Sequence, residues 1–251
     1  MPNLVLAIAL LQSPQSVYHI SAAVDIPVTL GAALAGAVPY LYTDKLIKPR
    51  CPCDPAEVNG FDRGAIGNTN PTAAKLSDVT VSAVVLAPLA LDALDLGGFN
   101  EVWWEDAVVF AQTLVINNAL VTAAKFIAQR PLPRTYAGDP NLIDKAEGYR
   151  SFYSGHTSTT FAALSATAMT IRLRYGEKTW PWIVTGVVGT SVALERVADG
   201  RHFPTDVIAG AVMGTAVGIL VPWLHSRDGT GSPQATRAAG GGFLLGWNLR
   251  F

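Results

Sequence analysis

The stretch ERVADGRHFPTDVIAGAVMGTAVGILVPWL, residues 195–224, joins two unlike halves. Glu195 to Asp206 is polar and gathers Arg196, Asp199, Arg201, His202 and Asp206 into one short segment. Val207 to Leu224 is an uncharged run of 18 residues, the lower edge of what crosses a hydrocarbon core of about 30 Å as a helix. Working outward, Ile26 to Thr43 and Ala107 to Ala124 reach the same length, and Val79 to Leu91, Thr157 to Ile171 and Thr179 to Leu194 are shorter uncharged runs. The shorter ones contain Ser, Thr or Gly, and each alone suits a buried helix of a soluble protein equally well. Together, six apolar helices on short polar connections predict an all-α, six-helix membrane-embedded bundle.

Composition points the same way. Of 251 residues 50% are hydrophobic and only 15% charged, and mean hydropathy is +0.30. An ordinary soluble domain carries about 25% charged residues, so this chain is short of polar surface. Disorder, a coiled coil and a disulfide-stapled mini-protein are excluded. A net charge of -1 gives no footing for nucleic acid, which demands a basic excess. Three segments are read: an N-terminal segment 1–25 with a signal-like run Leu4 to Leu11 lacking a basic flank, a helical domain 26–225, and a flexible C-terminal tail 226–251 rich in Gly, Ser, Thr and Ala. Cys51 and Cys53 lie one residue apart, too tight for an ordinary disulfide, and no second pair completes a zinc site. A pair of loop thiols is expected. Arg172, Arg174 and Lys178, between the fourth and fifth runs, place that connection in the cytoplasm by the positive-inside rule and the polar clusters outside; Lys45, Lys48 and Arg50 run against that topology.

Chemistry concentrates in three clusters. Ser151 to Ser158, Ser-Phe-Tyr-Ser-Gly-His-Thr-Ser, turns from loop into helix, so Ser154, Gly155 and His156 offer a hydroxyl, free backbone N–H groups and an imidazole to an oxyanion. In Arg196 to Asp206, the carboxylate of Asp206 lies four residues after His202 across Pro204; a helix starting at Pro204 lets it reach back, fixing one ring nitrogen and leaving the other as a nucleophile. Lys125, Arg130 and Arg134 close the third helix. Single basic residues at helix ends usually snorkel to the interface, but three cationic clusters with two histidines on one side describe a site for a tetrahedral dianion.

These segments resemble the three signature motifs of the type 2 phosphatidic acid phosphatase (PAP2) superfamily, which also holds class A acid phosphatases and vanadium haloperoxidases. Tyr153-Ser154-Gly155-His156 matches the second motif; Glu195-Arg196, His202 and Asp206 match the third; Lys125 and Pro133 match the first. Tyr153 stands for a proline, Glu195 for a serine, and Leu132 for the arginine of the first motif, with Arg130 and Arg134 two residues to either side. The resemblance implies a metal-independent phosphatase without cofactor. In it His202 attacks phosphorus, Asp206 orients it, His156 protonates the leaving oxygen, and Lys125, Ser154, Gly155, Arg196 and either Arg130 or Arg134 hold the phosphate. It further implies a phosphorylated lipid or polyprenyl diphosphate as substrate, membrane lipids as surroundings, and a place in a bacterial inner membrane with the site facing the periplasm. A soluble secreted acid phosphatase, a haloperoxidase and a catalytically degenerate membrane protein are the alternatives.

Overall fold

The computed structural model describes residues 16–227, 233–237 and 243–247; the signal-like run Leu4 to Leu11 lies outside them. Six long helices form the bundle: α1 (Ala22–Leu41), α2 (Pro71–Asp95), α3 (Glu101–Ala128), α4 (Gly155–Tyr175), α5 (Trp180–Ala198) and α6 (Pro204–His225). Their starts follow from local chemistry. The Asn70 side chain accepts from the Thr72 and Ala73 amides at 3.0 and 3.1 Å, the Asn100 side chain from the Trp103 amide at 3.0 Å, and proline occupies the first turn of α2, α5 and α6, where its missing N–H costs nothing. The helix count exceeds six, because one-turn helices Thr43–Leu46, Gly60–Arg63 and Pro133–Tyr136 punctuate the connections; a single turn leaves no periodic apolar signature in sequence. Pro233–Arg237 and Phe243–Trp247 pair as an antiparallel two-stranded ribbon.

Among the described residues four segments are long and apolar enough to cross, Ala22–Leu41, Pro71–Asp95, Glu101–Tyr136 and Pro204–His225. α4 falls short because it is the central helix, packed between α3, α5 and α6, and its Ser and Thr side chains face protein. Ser158, Thr160 and Ser165 are fully buried in it, as are Gln112, Thr113, Asn117 and Thr122 of α3. Outside, the pattern inverts: Leu30 and Leu34 of α1, Val79, Leu86 and Leu91 of α2, Val187 and Leu194 of α5 and Val212 of α6 are exposed. An apolar exterior around a polar, hydrogen-bonded interior is the arrangement of an integral membrane protein, whose solvent is hydrocarbon.

One contact sets the site. Gly210, Gly214 and Gly218 run along one face of α6, and a Cβ at Gly214 would stand 2.2 Å from the Ser158 carbonyl oxygen, one at Gly210 2.8 Å from that of Ser154. Small residues four apart let two backbones approach to where a methyl would clash. That fixes the first turn of α4, which carries His156, against the first turn of α6, which carries Asp206.

The expectation of loop thiols at Cys51 and Cys53 is overturned: the two form a disulfide. The chain turns at Pro52 and brings their Cα atoms to 4.5 Å, inside the range a disulfide bridges; an extended tripeptide would hold them too far apart.

Candidate active site

Four elements converge at one end of the bundle: the C-terminus of α3, the N-terminus of α4, the C-terminus of α5 and the loop entering α6. Between them lies a cavity of about 380 Å³ whose lining includes Lys125, Arg150, Gly155, His156, Arg196, Arg201 and His202. Of the residues singled out in sequence, Lys125, Gly155, His156, Arg196 and His202 meet there. Arg130, Arg134, Ser154 and Asp206 stand behind the wall.

His202 is buried, and its Nδ1 lies 2.7 Å from the Ser151 carbonyl oxygen. A carbonyl only accepts, so Nδ1 carries the proton and Nε2 keeps its lone pair. Asp206 Oδ2 is 3.9 Å from the same nitrogen, beyond a hydrogen bond. Its oxygens serve instead the Ser151 hydroxyl at 2.5 Å, the Phe203 amide at 2.9 Å and Arg130 Nη1 at 2.6 Å. The carboxylate therefore positions His202 at one remove, by clamping the two segments that hold the ring. Burial pushes the imidazole pKa down to about 3, helped by the Lys125 charge and opposed by Asp206, which keeps His202 neutral and nucleophilic at physiological pH.

His156 stands in the first turn of α4, with Nε2 2.7 Å from Asp78 Oδ1. Asp78 also lies 3.9 Å from Arg196 Nη1, and Arg196 is held by Ser77 and Asp199, each at 3.2 Å. Neither α2 residue carries a signal in the sequence; only the packing of α2 on α5 brings them here. Lys125 Nζ donates to the Arg150 carbonyl at 2.6 Å. Ser154 caps α4, its Oγ 3.0 Å from Thr157 Oγ1, so it shapes the helix N-terminus behind the lining. Glu195 does not line the cavity and one of its carboxylate oxygens is buried without a partner, so its charge is turned away from any anion there.

The first-motif arginine is where sequence and structure part. α3 ends at Ala128, with Gln129 at a left-handed φ of 44°, two residues before Pro131, so Arg130 is free of the helix as a proline stop requires. Its guanidinium nevertheless turns from the cavity. It sits between Asp206 and Asp62, 2.6 and 2.7 Å away, and over the Phe203 ring at 4.0 Å. Asp62 in turn accepts from the Thr205 amide at 2.9 Å; burial works against its ionisation, but the bonds from Arg130, Thr205 and Asn59 outweigh it and hold its pKa below the usual carboxylate value. Arg130 is thus a strut between the Gly60–Arg63 turn and α6. Arg134 reaches Asp199 at 4.0 Å and its Nε is buried without a partner. Leu132 itself lines the cavity. Two cations absent from the expected set, Arg150 and Arg201, line it as well.

The membrane bundle thus gathers two histidines and a cluster of cations at the N-terminus of its central helix, groups chemically suited to an oxyanion. Residues 106–229 match the family model described as the PAP2 superfamily, and the chain carries a domain of that superfamily. Among curated proteins it is 29% identical over 164 residues to "Lipid A 1-phosphatase" of Porphyromonas gingivalis, covering 62% of this chain and 33% of that one. It is 39% identical over 83 residues to "Probable diacylglycerol pyrophosphate phosphatase 1" of Schizosaccharomyces pombe, 30% of each chain. The chain thus spans about a third of the length of these relatives. Against the transmembrane PAP2 type phosphatidylglycerolphosphate phosphatase of Bacillus subtilis the TM-score is 0.49 at 18% identity, covering 78% of this chain and 93% of that one.

Proposed function

We propose that the protein is a membrane phosphatase that removes phosphate from a lipid phosphate monoester or diphosphate. The observation that carries the reading is the lining itself: four cationic side chains and two histidines around one cavity, with Glu147 the one carboxylate among its lining residues. Val81, Asn118 and Val121 line the same cavity from α2 and α3, beside Tyr40 of α1. A phosphate at the cations then leaves its tail against helices whose outer faces meet lipid.

In this mechanism the Nε2 lone pair of His202 attacks phosphorus in line, forming an N–P bond as the bond to the leaving oxygen breaks. Burial and the Arg196 charge hold the His156 pKa below the usual imidazole value against the pull of Asp78; the negative phosphate arriving beside it favours the protonated ring, which gives a proton to the leaving oxygen and becomes neutral. Water then attacks the phosphohistidine, His156 takes its proton back, and inorganic phosphate departs. Lys125, Arg196 and the N–H groups opening α4 balance the charge on the equatorial oxygens. The reading needs no metal, since side-chain cations supply the charge. It places the site on the face opposite the Arg172 to Lys178 connection, which the basic residues assign to the cytoplasm, and so on the periplasmic face of a bacterial inner membrane. Arg174 is buried in an ion pair with Asp92 at 3.0 Å, so Arg172 and Lys178 carry that assignment.

Leu132 favours a second reading, an oxyanion-binding protein without turnover. Phosphate release from phosphatidic acid and from a polyprenyl diphosphate by detergent-purified protein separates the two. Turnover lost in His202→Ala, with helicity unchanged by circular dichroism, is the expected result. A folded wild type that binds inorganic phosphate and hydrolyses neither lipid leaves the second reading.

A further inference from the structure

We propose that Arg150 holds the substrate phosphate in place of the arginine that the first motif lacks, an assignment that rests on the phosphate-site reading above. Leu132 fills the motif position, lines the cavity and is 4% exposed, so no charge enters from there. The neighbouring cations are committed: Arg130 bridges Asp62 and Asp206, and Arg134 points to Asp199 from behind the wall. Within the cavity Arg196 is anchored by Asp199, and Arg201 by Glu147 at 3.2 Å with Asp199 at 4.0 Å.

Arg150 differs from all of these. Its guanidinium has no hydrogen bond or ion pair among the described residues and rests over the Tyr40 ring, 5.1 Å from the centroid. Its backbone is tied to the site by the first motif's own lysine, since Lys125 Nζ donates to the Arg150 carbonyl. The next residue, Ser151, gives its carbonyl to His202 and its hydroxyl to Asp206. The charge has therefore moved from the segment following Lys125 to the segment that Lys125 holds. A planar guanidinium lying on an aromatic face, without an anion, in a cavity lined by cations, presents a fork that fits two phosphate oxygens at once.

The placement also has a consequence for substrate class. Tyr40, Val81 and Val121 give the cavity its apolar lining, and Arg150, lying over the Tyr40 ring, borders that lining. It meets the phosphate where an acyl or prenyl tail leaves it, and its contribution is larger for a lipid phosphate than for a small soluble ester that lacks a tail to fix its approach.

The test uses full-length protein in detergent, inorganic phosphate as the binding probe and phosphatidic acid as substrate. Arg150→Ala is expected to weaken phosphate binding by about tenfold to a hundredfold, the range for a lost charged hydrogen bond, and to lower kcat/KM on phosphatidic acid by at least as much. The double variant Leu132→Arg with Arg150→Ala restores a guanidinium at the motif position and is expected to recover most of the phosphate affinity. Position 132 is buried, so Arg150→Lys and Arg150→Gln are measured alongside; Lys keeps part of the affinity and Gln loses it. Phosphate binding unchanged in Arg150→Ala and Arg150→Gln overturns the assignment. Wild type that binds phosphate but hydrolyses no lipid overturns the enzyme reading while the binding series still decides Arg150; wild type that binds no phosphate overturns both.

Discussion

The two ends of the bundle both bury charge, and they do it differently. At the end away from the cavity, Arg174 sits between Asp92, at 3.0 Å, and Asp106, His225 Nε2 meets Asp25 at 3.0 Å while Nδ1 meets the Val221 carbonyl at 2.7 Å, and Tyr18 meets Thr170 at 2.7 Å. Arg174 and His225 each meet a carboxylate there, and the cluster staples α1, α2, α3, α4 and α6 together. At the other end the carboxylates Asp62, Asp78, Asp199 and Asp206 lie behind the wall or at its edge, and the cations face inward around an open space. A neutralised buried cluster is structure; an excess of one sign around a cavity is a site for the opposite sign.

The sharpest break between the ends is expected from His202→Ala. Loss of the nucleophile should lower lipid-phosphate hydrolysis by roughly a thousandfold or more, going by other triads that have lost a member, with little change in thermal unfolding. Arg174→Ala should do the reverse. Removing one partner of a buried pair leaves uncompensated carboxylates and costs about 3–5 kcal/mol, seen as a lower Tm in detergent, while kcat of the folded fraction stays within about twofold of wild type. If Arg174→Ala abolishes turnover in protein that remains folded, the division of labour between the ends is wrong.

Smaller effects refine the site. Asp78→Asn leaves the hydrogen bond to His156 available but removes the charge that supports the imidazolium, so kcat should fall about tenfold, part of the roughly hundredfold or more that general acid catalysis supplies, with KM on phosphatidic acid unchanged. A rise in KM with kcat intact would make Asp78 a binding residue instead. A further effect is on acid stability. His202 has its pKa near 6.5 in the unfolded chain and about 3 when folded, because burial disfavours the charged ring. Between those values the unfolded state binds the extra proton, so stability is complete above about pH 6.5 and declines as pH falls toward 3. Thermal unfolding of His202→Gln followed from pH 7 to pH 4 should show a shallower acid decline than wild type.

How much of this was legible in the sequence depends on the range of the interaction. The uncharged runs located all six long helices, because hydrocarbon-facing surface leaves a contiguous record. Four of the segments also read as spans by length and apolarity together; α4, a run of Ser, Thr and Ala, is less apolar because its side chains face the neighbouring helices. Within the site, His156, His202, Lys125, Gly155 and Arg196 were legible, since motif spacing places them on helix ends that must meet. Asp78 and Asp62 were not: each is a lone carboxylate in an ordinary stretch, and only tertiary packing brings it to His156 or Arg130. Arg130 shows the limit from the other side. A proline after Arg130 marks the end of a helix in sequence, yet no local feature tells that Asp62 takes the charge of Arg130. Cys51 and Cys53 failed for a similar reason, because the bridge depends on a turn at Pro52 that spacing alone does not disclose.

The central claim is that His202, facing a cavity of cations with Nε2 unprotonated, is the nucleophile of a phosphatase. Rapid acid-free quenching of purified protein mixed with a lipid substrate carrying radiolabelled phosphate tests it most directly. The account predicts a label on the wild-type chain that survives alkali, is lost in acid and is absent from His202→Gln. Turnover with no phosphoprotein at any time, or a label that persists when His202 is replaced, would contradict it.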